Sequence, residues 1–240
     1  MKNEQHRNDQ RPTDGAQSPR RLGWPDLIIA AIAALVLYGV GIVVLIQVPT
    51  EQATVFGLAG YAVSGLAPMG AAGVVLLIRR HGPAAVGLRR VPFRWVAIGA
   101  GLGLGVVALN IGSVMLMDAL SGEVESVQGG YQSAAGAGLA SFAAALVLGA
   151  LLTPLGEELL FRGVLVNALG RYGAWVAVLV SSAVFALAHG VNYLLVVSFT
   201  VGVIAALLLR RTGSIWPGVA LHAVNNSASV LLPAAYALAG

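Results

Sequence analysis

The chain has 240 residues and no cysteine, which excludes a disulfide framework, a thiolate nucleophile and any cysteine metal site. Charge is also scarce. Asp, Glu, Lys and Arg together make up 10% of the residues, against about 25% in a soluble globular domain, so an ordinary soluble surface is excluded. Two catalytic signatures are missing: there is no Gly-x-Ser-x-Gly, which argues against a rhomboid-type serine protease, and no His-Glu-x-x-His, so the standard zinc-protease helix is absent. The formal net charge of +4 sits on arginines distributed as topology signals, which argues against a nucleic-acid partner.

What is present is apolar. With 58% hydrophobic residues and a mean hydropathy of +0.83, the chain reads as an integral membrane protein: all-α, a polytopic transmembrane helical bundle. Residues 1–23 are polar and are expected to form a disordered tail with too little apolar surface to fold. The apolar run after them is as long as a full span, so they are not a cleavable signal peptide. Windows of about 20 apolar residues then give about seven spans: Leu27–Gln47, Ala53–Ile78, Trp95–Ala119, Gly136–Leu155 with a helical continuation to Leu169, Ala174–His189, Tyr193–Leu209 and Ile215–Leu238. The chain divides at residues 130/131 into N-terminal transmembrane helices (24–130) and a motif-bearing core (131–240). The glycine-rich "GAGLGLG", Gly99 to Gly105, contains a Gly-x-x-x-Gly spacing inside a span and reads as a close helix-packing face.

Basic residues fall in the tail, around Arg79–Arg94, after span four and after span six, and every alternate connection has none. The positive-inside rule therefore places the N-terminus in the cytoplasm. Trp24, Trp95, Trp175 and Trp216 all fall at that same edge. The Ala, Gly, Val and Arg bias suggests a bacterial cell membrane.

Sorted by depth, most acidic residues lie in the tail, at span ends or in loops, and only Glu157 and Glu158 are inside. His189 and His222 also belong to apolar segments. A charged group at the bilayer centre costs at least about 2.5 kcal/mol, so such residues usually face a cavity or a partner. The spacings show how these are partnered. Glu158 and Arg162 are i,i+4 and can pair on a helix, leaving Glu157 about 100° round the axis to point elsewhere. Phe185 and His189 repeat the spacing, as do His222 and Asn226. Counted from the flanking arginines at about 1.5 Å per residue, Glu157, His189, His222 and Asn226 share one layer within roughly 10 Å.

Glu157-Glu158-x-x-x-Arg162, Phe185-x-x-x-His189 and His222-x-x-x-Asn226, in that order on hydrophobic segments, resemble the CPBP family of intramembrane proteases, which includes the type II CAAX prenyl endopeptidases and bacteriocin-processing or immunity relatives. The resemblance covers roughly the last 110 residues. It implies peptide-bond hydrolysis within the membrane, on a membrane-associated protein or peptide. Glu157 would be the general base and His189 would share the water with it. His222 and Asn226 would stabilise the oxyanion, with Glu158, Arg162 and Phe185 in support, and no cofactor would be needed. A metal reading stays open beside it, with Glu157, His189 and His222 as Zn²⁺ ligands around an open position. Against it, Asn226 suits an oxyanion donor, and Arg162 brings positive charge to the place of a dication. Two rivals from other classes are a non-catalytic scaffold or immunity protein on the same fold and an ion-coupled transporter. All motif residues are intact, which favours the enzyme over the scaffold, and no inverted repeat is visible to favour the transporter. Substrate identity and oligomeric state leave no trace in the sequence.

Overall fold

The computed structural model describes residues 21–121 and 129–239. Among them there are eight helices and no strand: α1 (Trp24–Leu45), α2 (Ala53–Arg79), α3 (Phe93–Ser121), α4 (Gly129–Gly136), α5 (Leu139–Tyr172), α6 (Ala174–Ala188), α7 (Leu194–Thr212) and α8 (Trp216–Ala239). A one-turn 3₁₀ segment, Pro83–Val86, follows α2. The helices α1, α2, α5 and α7, and α3 over Phe93–Met117, are long and apolar enough to cross a bilayer. The shorter α6 has 15 residues, about 22 Å of helix against a hydrocarbon core of about 30 Å.

The helix boundaries follow local chemistry. Gly138, with φ 95°, adopts a left-handed conformation that separates α4 from α5, so the fourth span begins at Leu139 and not at Gly136 as expected. At eight residues, α4 is too short to span. It packs against α2, where Gly57 and Gly130 let the two backbones touch: a Cβ on Gly57 would collide with the Gly130 carbonyl. The 130/131 division falls inside this helix, and α3 packs along α8 across it.

The Gly-x-x-x-Gly reading holds for one pair. A Cβ on Gly99 would strike the Pro217 carbonyl, and one on Gly103 would lie 2.6 Å from the Leu221 carbonyl, whereas Gly101 and Gly105 face open space. Gly99 and Gly103 thus seat α3 against the turn of α8 that carries His222.

One expectation needs correction. The disordered tail was expected over 1–23; residues 1–20 lie outside the described residues, but Leu22 is buried in the core and Gly23 N-caps α1. Asp26, in the first turn of α1, is 1% exposed. Its carboxylate accepts from the Gly23 backbone N–H at 2.8 Å and from Arg79 Nε at 3.1 Å, and lies 2.9 Å from His81 Nε2. A carboxylate near a helix start satisfies otherwise orphaned N–H groups. Here it also ties the start of α1 to the end of α2.

Candidate active site

The helix α5 is not a regular α-helix. Leu146–Leu152 and Glu158–Val166 are π-helical, with the α-helical turn Thr153–Glu157 between them. Wide turns of this kind are rare and are frequently found at functional sites. The expected i,i+4 pair survives the change of geometry: Arg162 Nη1 lies 3.2 Å from Glu158 Oε1 with both side chains buried. The contact is an ion pair whose angles fall outside hydrogen-bond geometry, so the guanidinium nitrogens and both Glu158 oxygens lack a hydrogen-bond partner. Glu158 fits because Gly218 faces it; a Cβ there would lie 2.6 Å from Glu158 Oε2.

Glu157 is 6% exposed. Its two oxygens face different histidines, Oε1 at 3.9 Å from His189 Nε2 and Oε2 at 3.5 Å from His222 Nε2. The other nitrogen of His222 lies 3.6 Å from Glu158 Oε1, so this imidazole links both carboxylates. His189 sits at the last turn of α6, and its Nδ1 is 2.9 Å from the Phe185 carbonyl. A carbonyl only accepts, so Nδ1 carries a proton, and Nε2 is the nitrogen that faces Glu157.

Phe185 has more contacts than its spacing to His189 implied. Its ring stands edge-on to His189 at 4.6 Å and to His222 at 5.6 Å, and the Arg162 guanidinium lies over its face at 4.3 Å. A buried cation on an aromatic face is stabilised by about 2 kcal/mol, which supplies part of what Arg162 lacks in hydrogen bonds.

Asn226 donates from Nδ2 to the Gly149 carbonyl at 3.0 Å, in the first π-helical stretch. That uses one of its two N–H groups.

These residues line a cavity of about 140 Å³ whose wall also includes Tyr61, Asn110, Tyr131, Ser198 and Asn225. All seven residues singled out in the sequence are therefore gathered in one place: Glu157, His189, His222, Asn226 and Phe185 on the cavity wall, with Glu158 and Arg162 directly behind. The sequence reading missed the other polar lining residues. Asn225 had one visible signal, its place beside Asn226. Its Oδ1 is buried with no hydrogen-bond partner.

Of the three residues named for the Zn²⁺ alternative, Glu157 presents a different oxygen to each histidine. Among the described residues no group of three His, Asp or Glu side chains is arranged to hold a metal ion.

No curated protein and no solved structure matches the chain. Residues 139–228, the segment from α5 into α8 that holds every member of the Glu157 cluster, match the family described as type II CAAX prenyl endopeptidase Rce1-like, the same group of intramembrane proteases that the three motifs resemble.

Proposed function

We propose that the chain is an intramembrane endopeptidase that hydrolyses a peptide bond of a membrane-associated protein or peptide, with Glu157 and His189 activating water and no metal taking part. The observation that carries this reading is the Glu157 carboxylate, buried on the cavity wall with a histidine nitrogen beyond each oxygen. The family match over residues 139–228 supports the peptidase class and makes a prenylated CAAX protein the first substrate to try.

The separation of 3.9 Å between Glu157 Oε1 and His189 Nε2 is too long for a direct hydrogen bond and suits one water about 2.8 Å from each. Glu157 takes a proton as the water oxygen attacks the peptide carbonyl carbon. The second N–H of Asn226, with His222, supplies donors for the oxyanion, which count for more in a dry site than in water. Collapse of the intermediate breaks the C–N bond as the proton passes from Glu157 to the leaving nitrogen. Glu158, Arg162 and Phe185 hold the pair in position.

The test compares the termini of membrane proteins in cells carrying the wild type or Glu157→Gln. Glu157→Gln should abolish cleavage with little change in the melting temperature of the purified protein. Full cleavage by the variant would remove Glu157 as the base. Active protein should also contain well under one metal per chain and survive chelation. Stoichiometric zinc, lost together with activity and restored with it, would instead make Glu157, His189 and His222 ligands.

A further inference from the structure

A second concavity lies at the end of the bundle where α1 begins and α2, α5 and α7 end. It has a volume of about 1370 Å³, and Arg21, Arg79, Arg80, Arg89, Arg171 and Arg210 all line it. These come from separate stretches of the chain, so folding gathers them. The stretch of α5 on its wall runs from Val166, the end of the π-helical turns that follow Glu157, to Gly170, and the two concavities have no lining residue in common, so the basin is separate from the cavity described above.

Its charge is largely uncompensated. Among the described residues the only acidic one on its wall, Asp26, is buried and already occupied by Arg79 and His81. Arg89 donates to the Ala84 carbonyl, and Arg171 lies against the Tyr172 ring. Among the described residues, Arg21, Arg80 and Arg210 make no ion pair, while all three are exposed. Residues 1–20 carry four basic and three acidic side chains, so the chain's own N-terminal stretch brings no net negative charge to fill the basin.

Arg80 adds an independent observation. Among the described residues it is the only non-glycine with a positive φ, 54°, at the C-terminal cap of α2, where glycine would be free of strain. Keeping a guanidinium in a disfavoured backbone conformation points to a use for that side chain.

The surroundings suit an amphiphile. Leu22, Pro25 and Leu209 are on the basin wall. From it, α1 carries the exposed stripe Ile28, Ile32 and Leu35, each more than half exposed and all on one helical face. Trp24 and Tyr172 stand exposed nearby, as interfacial anchors do.

We propose that this basin binds the phosphate of an anionic phospholipid, with Arg21, Arg80 and Arg210 around the headgroup and the acyl chains along the exposed stripe of α1. Guanidinium groups match phosphate oxygens in geometry as well as charge, and basic pockets between membrane helices hold anionic headgroups in this way.

The experiment uses the full chain purified in a nonionic detergent. Melting temperature is followed during titration with phosphatidylglycerol, phosphatidylcholine or inorganic phosphate, and retained lipid is measured by native mass spectrometry. Phosphatidylglycerol should raise the melting temperature at about a tenfold or more lower concentration than phosphatidylcholine. Arg80→Gly, which relieves the backbone strain, should leave the lipid-free protein at least as stable yet lose most of that preference, and Arg210→Gln should weaken it independently. Equal responses to the two lipids, or an unchanged preference in both variants, would overturn the proposal. A full response to inorganic phosphate would overturn the lipid as the source and assign the basin to a soluble phosphate.

Discussion

Glu158 and Arg162 are among the largest fully buried side chains of the described residues, and each is the other's main compensation. Arg162→Ala should therefore destabilise the protein by about 3–5 kcal/mol, because Glu158 would be left as an unpaired buried charge. Thermal unfolding in detergent would show this as a large drop in melting temperature together with lost activity, unlike Glu157→Gln. Phe185→Ala should cost a similar amount, about 3–5 kcal/mol from the lost ring, and should also loosen both histidines and uncover Arg162; Phe185→Leu should recover stability more than activity. The charged pair was legible because opposite charges at i,i+4 within apolar sequence meet on one helical face, where each offsets the burial of the other. Asn110, Tyr131 and Ser198 were not, since single polar residues on helices carry no spacing that distinguishes a cavity wall from a helix contact. The burial of Asp26 was not legible either, because only the return of α2 brings Arg79 and His81 over the start of α1.

At the scale of elements, the glycines of α3 give a contrast that depends on packing alone. Gly103→Ala would push a methyl into the Leu221 carbonyl, whereas Gly105→Ala meets nothing within 4 Å. The first should lower stability by about 1–3 kcal/mol through overpacking and reduce activity by shifting the turn that carries His222. The second should be neutral or stabilising by up to about 1 kcal/mol from helix propensity. Melting curves of the two variants side by side check the packing, since equal effects would mean that α3 does not seat α8. The spacing in "GAGLGLG" announced a packing face, but two interleaved pairs were available, and the partner helix chose between them. The π-helical stretches of α5 were not legible. A 3.6-residue reading fitted Glu158–Arg162 equally well, and the Gly149 carbonyl in the first wide turn finds its donor in Asn226, from a distant part of the chain.

For the whole molecule, the gathering of Arg21, Arg79, Arg80, Arg89, Arg171 and Arg210 around one basin puts the basic residues of alternate connections at one end of the bundle. Single cysteines introduced at Gly82 and Ser133, both exposed, should then react with a membrane-impermeant reagent from opposite sides, a result that labelling from the same side would contradict. Composition and hydropathy alone determined that the chain is a helical membrane bundle, because about 20 consecutive apolar residues have few other stable environments. Ordered motifs determined which charged residues pair locally, because helical spacing is a property of neighbours in sequence. Tertiary structure alone decided that Glu157 faces one histidine with each oxygen, that Phe185 stands between both imidazoles and Arg162, and that six arginines from distant stretches share one basin. Those relations depend on how separate helices cross and rotate against one another, and that is set by packing among small residues and buried polar contacts far apart in the chain.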